Sequence, residues 1–366
     1  MDMAMDAFQS PGETPERASG PIGGSGAWKG RDMAARPEEW TYRLSAAELD
    51  ELDVAMRQTK ALEFAAIDET RFELRTLTAT LNDIREELLR GRGFVLIRGI
   101  PVQDYDLEES ARIYWGIGAH LGHPRSQNAK GHLLGHVCNL GPQYDAYGNP
   151  GKVRIYQTQA RQKFHTDSTD IVGLMCLQKA KSGGESSICS SVSVHDEMLR
   201  RDPKLWAVMY EPFWRDRRGE VPPGRQGYYP MATFHFHAGL LSTIYSRDYI
   251  ESCSRFEALP ALTDTQVAAL DLFDELTEGP ELRLDMHFEP GDIQLLHNHQ
   301  ILHAREQFED WPEVERRRHL LRLWICPPDG RPLPESLIER YLALDIGDRG
   351  GIIGQDTTPC VPLEPV

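Results

Sequence analysis

No stretch constrains this chain more than residues 163–170, Lys-Phe-His-Thr-Asp-Ser-Thr-Asp, and within it His165 and Asp167. In an extended run, positions i and i+2 project from one face of the strand. An imidazole and a carboxylate then stand side by side on a stiff scaffold. That pair is two-thirds of the 2-His-1-carboxylate set that holds non-haem Fe(II) while leaving coordination positions open. The missing ligand has to be a histidine from elsewhere in the chain.

Of the thirteen histidines, the twelve besides His165 compete for that place. His235-Phe-His237 and His297-Asn-His299 also put two imidazoles at i and i+2. His132 and His136 would share a helix face, which Gly135 disfavours. Taken alone, His165-Thr-Asp167 equally fits a strand-end histidine followed by an aspartate that caps a turn.

Charge and cysteine usage narrow the class. With 366 residues the chain can bury a sizeable core, in one large or two ordinary domains. A net charge of −16 leaves no global basic field for nucleic acid or an anionic membrane. Six cysteines (138, 176, 189, 253, 326 and 360) form no C-x-x-C pair, as expected of reduced thiols in the cytoplasm. No long apolar run or signal-peptide core is visible. The expected partner is a small molecule, with no nucleic acid and no membrane; a homo-oligomer is compatible with the chain but not written in it.

Residues 1–36 lack hydrophobic periodicity and read as a flexible leader outside any core. No linker-like shift follows, so 37–366 is expected to form a single domain. Capping boxes at Ser45/Glu48 and Thr263/Gln266 open helices. Further helices are expected over 77–90 and 107–121, and strands at 94–97, 133–137, 152–158, 286–292 and 318–326. A hairpin is expected over 231–245, turning at Gly239. The glycine-rich segment 122–160 lies where a substrate lid would be. Helices flanking many short strands predict a mainly β fold with a double-stranded β-helix core, the jelly roll of cupins.

Period two also sorts 318–326. Even positions give Arg318, Leu320, Arg322, Trp324 and Cys326 on one face, and odd positions His319, Leu321, Leu323 and Ile325 on the other. Two arginines thus sit four residues apart among apolar neighbours. A guanidinium drawn into a barrel needs an anion, and a carboxylate matches it bidentately. Otherwise residues 316–318 are a solvated run paired with Glu313 and Glu315, an account that suits Arg316 and Arg317 better than Arg318.

The order of motifs is what singles out one assignment. After His165-Thr-Asp167 come the Gly183-Gly-Glu-Ser186 turn, the Pro290-Gly-Asp292 turn, Asn298 with His303-Ala-Arg305, and then Arg318 and Arg322. This order, over roughly 90–355, resembles the taurine/2,4-dichlorophenoxyacetate dioxygenase (TauD/TfdA-like) family of Fe(II)/2-oxoglutarate-dependent oxygenases. The resemblance implies His165, Asp167 and His303 as iron ligands, the last because the family's distal histidine precedes Ala-Arg. It implies Arg318 on the distal carboxylate of the co-substrate 2-oxoglutarate, with Ser186, often threonine in the family, as its hydroxyl partner. Arg322 falls where taurine-type members meet the substrate's acid group. O2 is the other co-substrate, and succinate and CO2 the co-products. Asp167 argues against halogenation, since chlorinating relatives carry a small residue there. Hydroxylation of a small, acidic molecule is the expected outcome, with desaturation, ring closure or a non-catalytic binding role as the alternatives. Residues 158–164 do not reproduce the taurine-binding polar groups, which argues against taurine itself.

Overall fold

The computed structural model describes residues 16–145, 153–354 and 356–365. Alternation along the late strands explains its layers. Leu320 and Trp324 join Phe94, Val172 and Leu296 in an apolar cluster that also holds Ile188, Met286 and Ile301. The intervening Leu321, Leu323 and Ile325 point the other way, onto the helices Leu77–Arg90 and Leu107–Leu121.

The first group of strands belongs to a seven-stranded sheet. Its order is Thr41–Arg43, Phe94–Arg98, Ile293–His297, Ile171–Gln178, His319–Cys326 and His123–Pro124, with Leu134–Cys138 also paired to His319–Cys326. A four-stranded antiparallel sheet faces it, ordered Arg283–Met286, Ser186–Ser190, Ile301–Arg305 and Gln162–His165. Behind this smaller sheet, Cys189, Leu302 and Ala304 pack on the helices Ser191–Arg201, Pro203–Val208 and Asp264–Glu278. Two sheets with helices on both outer faces leave one interior between them, and only side chains of alternate register reach it.

Both expected capping boxes are present, at Ser45/Glu48 and Thr263/Gln266. The hairpin pairs Phe234–His237 with Leu240–Thr243 across Ala238 and Gly239, both at positive φ. Three expectations are corrected. Residues 16–36 of the supposed leader dock on the fold through a few buried anchors, Ala18, Trp28 and Met33, while residues 1–15 lie outside the described residues. Trp28 is buried, its indole N–H donates to the Arg92 carbonyl at 2.9 Å, and its ring lies 4.9 Å from Phe94. Such a segment docks by single anchors and hydrogen bonds, such as Asp196 accepting from the Ile22 and Gly23 amides, so it carries no period to read. Residues 155–157 form a 3-10 turn, where a strand over 152–158 was expected; residue 152 is outside the described residues. The strand expected over 286–292 ends at Met286, and Gly291 takes φ +90° in the turn that follows.

A buried latch secures the turn after the His165 strand. Asp170 accepts from Arg349 at 2.6 Å and from His299 Nε2 at 2.9 Å, all three shielded from solvent. Burial opposes the Asp170 charge, but His299 and Arg349 outweigh it and hold the carboxyl well below its usual range. Asp170→Asn therefore leaves Arg349 without its counter-ion. The expected cost is about 3–5 kcal/mol, read as a lower urea midpoint at unchanged slope. Burial also pushes His299 down to about 4 and His235 to about 3. Both histidines are neutral when folded but protonate near pH 6.5 when unfolded. Unfolding then takes up protons, so stability is full above about pH 6.5 and falls as the pH drops toward the folded values. Urea midpoints measured across this window check the sign.

Candidate metal centre and co-substrate pocket

Pairing between two strands of the smaller sheet sets His303 directly opposite His165. Their rings lie 4.2 Å apart, centroid to centroid. Asp167 completes the cluster, with its carboxylate oxygens 3.8 Å from His165 Nε2 and 3.7 Å from His303 Nε2. Among the described residues these three form the one group of His, Cys, Asp or Glu that could hold a metal ion.

The strand expectation for this stretch is corrected in one respect. The strand Gln162–His165 ends at its histidine, and Asp167 lies in the turn beyond. Pairing within this sheet therefore does not reach Asp167. Asn298 holds it in place: its carbonyl accepts from the Asp167 amide at 2.8 Å, and its amide donates to the carbonyls of Asp167 and Thr169 at 2.7 and 3.0 Å.

Protonation states suit a cation. The Lys163 carbonyl accepts from His165 Nδ1 at 2.9 Å, which leaves Nε2 with its lone pair facing Asp167. Gln162 donates its amide to that lone pair at 2.8 Å, so an entering ion takes over a position this amide holds. Burial pushes His303 down to about 3 and lowers His165 as well, so both imidazoles are neutral near pH 7. Burial alone would raise Asp167. The Arg322 charge and a 2.9 Å hydrogen bond from the Trp324 indole oppose that, and the carboxylate stays ionised. Two neutral imidazoles and one carboxylate form a donor set that fits Fe(II).

Beside this cluster a cavity runs between the sheets, lined by His165, His303, Ser186, Arg305, Arg318 and Arg322 among others. Arg318 is buried, stacks 5.1 Å from the Phe308 ring centroid, and leaves Nη1 without a partner. Burial pushes its guanidinium down to about 10 and that of Arg305 to about 9. Gly184, at φ +76°, gives Arg318 room, since a Cβ there would come within 3.0 Å of its Nε. Ser186 shares hydrogen bonds with Gln294, at 3.1 Å from the Gln294 amide. Arg322 lies 3.7 Å from Asp167, donates to Gln127 at 2.6 Å, and sits between Tyr156 and Trp324.

The rival histidines lie elsewhere. His297 meets Arg331, and His299 meets Asp170 and stacks on Tyr341. His235 bonds Ser336 and the Ala232 carbonyl. His136 is on a strand and meets His319 at 2.8 Å. Sequence reasoning missed Gln162, Gln294 and the Trp324 bond to Asp167. Only the inward register of Trp324 hinted at any of them.

The surroundings of the cluster match known proteins. The profile of the taurine catabolism dioxygenase TauD, TfdA family matches residues 58–324. The chain is 32% identical to FR-33289 synthase of Streptomyces rubellomurinus, over 87% of this chain and 94% of that protein. It is 27% identical to the taurine hydroxylase-like protein SAT17 of Stachybotrys chartarum, over 85% and 83% of the two chains. The fold is similar to that of an asparagine oxygenase solved with Fe(II), 3-hydroxyasparagine and succinate, with a TM-score of 0.58 at 12% identity, covering 78% of this chain and 93% of the other. No helix among the described residues is long and apolar enough to cross a membrane. The chain belongs to the taurine catabolism dioxygenase (TauD/TfdA) family, and it is an Fe(II)/2-oxoglutarate-dependent dioxygenase that consumes O2.

Proposed function

We propose that this dioxygenase hydroxylates an unactivated C–H bond of a small acidic molecule, within a single domain built on a jelly-roll core and working in the cytoplasm. His165, Asp167 and His303 hold Fe(II). Arg318, with Ser186, receives the distal carboxylate of 2-oxoglutarate, and Arg322 faces the acid group of the substrate. The observation that carries this reading is the unpartnered Arg318 Nη1, buried in the cavity that also contains His165 and His303. A buried guanidinium is costly unless an anion meets it. A second cation, Arg305, lines the same cavity, which strengthens its demand for a carboxylate.

Iron bound with 2-oxoglutarate and O2 supplies oxidative decarboxylation to succinate and CO2, coupled to oxidation of a substrate C–H bond. The protein's residues orient and exclude. Asp167, kept ionised by Arg322 and Trp324, and two neutral imidazoles would neutralise only part of the charge of Fe(II), and the positive charge left would favour an anionic chelator. Asn298 fixes the turn that carries Asp167. Trp324 and Tyr156 hold Arg322 at the boundary between the co-substrate cavity and a larger, more open cleft, which both His165 and Asp167 line. The substrate is read in that cleft.

Two measurements test the assignment. Anaerobic addition of Fe(II) and 2-oxoglutarate is expected to produce a weak visible absorption band. Succinate release is then measured across a panel of sulfonates, carboxylates and amino acids, with the product expected to gain one oxygen atom. A product lighter by two hydrogens would redirect the reading to desaturation or ring closure. Absence of both the band and succinate formation would sink it.

A further inference from the structure

The larger cleft is lined by many arginines, and most of them are already paired. Arg154 meets Glu220, Arg217 meets Glu339 and Arg247 meets Glu251 at 2.6 Å, while Arg322, 3.7 Å from the metal-centre residue Asp167, is the cation already read as facing the substrate's acid group. Arg340 differs. Its guanidinium donates to the Tyr229 hydroxyl at 3.2 Å and to the Thr166 carbonyl at 3.3 Å. Its Nε is sealed from solvent without a partner, and among the described residues it ion-pairs with no carboxylate. Both of its acceptors are neutral, so among the described residues it lacks a carboxylate counter-ion in a cleft whose other cations are mostly paired.

Its position relates it to the metal centre. Thr166 lies between the ligands His165 and Asp167, so Arg340 touches the turn that presents them. Arg322 touches the same turn through Asp167. The short helix Ile338–Tyr341 that carries Arg340 is closed by Leu342 at φ +63°. Arg218, another cleft residue, also has positive φ, at +53°. Non-glycine residues in this conformation are costly and gather at sites where position matters.

We propose that Arg340 is a specificity residue that binds a second oxyanionic group of the substrate, so that the molecule oxidised carries an acid at each end and its reactive C–H between them. This rests on the oxygenase reading above. Arg322 takes one acid group, Arg340 takes the other, and the carbons between them lie against the His165-Thr-Asp167 turn. A carboxylate, sulfonate, phosphonate or phosphate satisfies the chemistry of Arg340, since a guanidinium pairs with each of them.

The test uses the full chain, loaded anaerobically with Fe(II) and saturating 2-oxoglutarate so that Arg318 is occupied. A ladder of α,ω-phosphonocarboxylates of increasing length is titrated calorimetrically beside alkylphosphonates of the same lengths. At least one two-ended rung is expected to bind wild type about tenfold or more tighter than its one-ended counterpart. Arg340→Gln is expected to erase that advantage, and Arg340→Lys to restore part of it. A merely structural strut between Tyr229 and Thr166 would shift thermal stability without changing the two-ended preference. No preference on any rung in wild type overturns the proposal, as does a preference that survives Arg340→Gln. If Arg340→Gln does not fold, the wild-type ladder and Arg340→Lys still decide: a preference undiminished in Arg340→Lys overturns the proposal, and a reduced one supports it. The affinity for 2-oxoglutarate is read in the same samples. Its absence in wild type would sink the oxygenase reading, whereas its presence without a two-ended preference sinks this inference alone.

Discussion

Asp167→Ala is expected to lower 2-oxoglutarate-dependent succinate formation on the order of 10³-fold or more, because partners outside the ligand shell alone are typically worth about 10–100-fold and a ligand exceeds them. Asp167 contributes the charge of the set, and its removal leaves Arg322 facing two neutral imidazoles. Iron affinity should fall with activity, measured by anaerobic Fe(II) titration of the apo-protein. The fold should persist, because Asn298 holds this turn through the Asp167 backbone, which alanine retains. Arg322 also keeps its 2.6 Å bond to Gln127. Succinate formation at the wild-type rate in a folded Asp167→Ala protein would remove the triad assignment. His165→Ala should match it, since the two side chains serve one ion.

Arg318→Ala should act on a different quantity. The apparent affinity for 2-oxoglutarate is expected to fall by about 100-fold, roughly 3 kcal/mol, as for loss of one partner of a buried charge pair. Turnover at saturating co-substrate should change much less, because the guanidinium lies at the far carboxylate and not at the reacting carbon. Arg318→Lys should recover part of the affinity, as a point charge lacks the planar fork that meets a carboxylate bidentately. Stability should move modestly, since among the described residues the Arg318 side chain makes one long hydrogen bond, 3.4 Å to the Gly184 carbonyl, besides its contact with Phe308, and alanine keeps the backbone N–H that donates to Asp310. Unchanged 2-oxoglutarate affinity in Arg318→Ala would remove the clamp. Arg305→Ala is the control, because Arg305 lines the same cavity with Nε and Nη1 unpartnered, while its Nη2 is committed to the carbonyls of Ile155, Thr158 and Ala160.

What could be read without coordinates were the local rules. The period of two in 318–326 assigned Arg318, Arg322 and Trp324 to one face, and that face is the one between the sheets. Capping boxes placed two helix starts because side chain and backbone there are three residues apart. The motif order joined His165 and Asp167 to His303 across well over a hundred residues, and the three do meet. The leader was misread because isolated anchors such as Trp28 leave no period in the sequence, only a partner elsewhere.

The tertiary structure decided everything that depends on which distant group faces a given atom. Asn298 holds Asp167 in place beyond the end of the His165 strand. Gln162 rests on the lone pair an ion would take, and Trp324 helps keep the carboxylate charged. Arg340 is one of many surface-like arginines in the sequence, and only folding leaves it without a carboxylate beside the metal turn. Residue type and spacing specify what a side chain can do, because bonding geometry is local. Which charge remains uncompensated is a property of the whole packed chain, because burial and counter-ions come from segments that sequence separates.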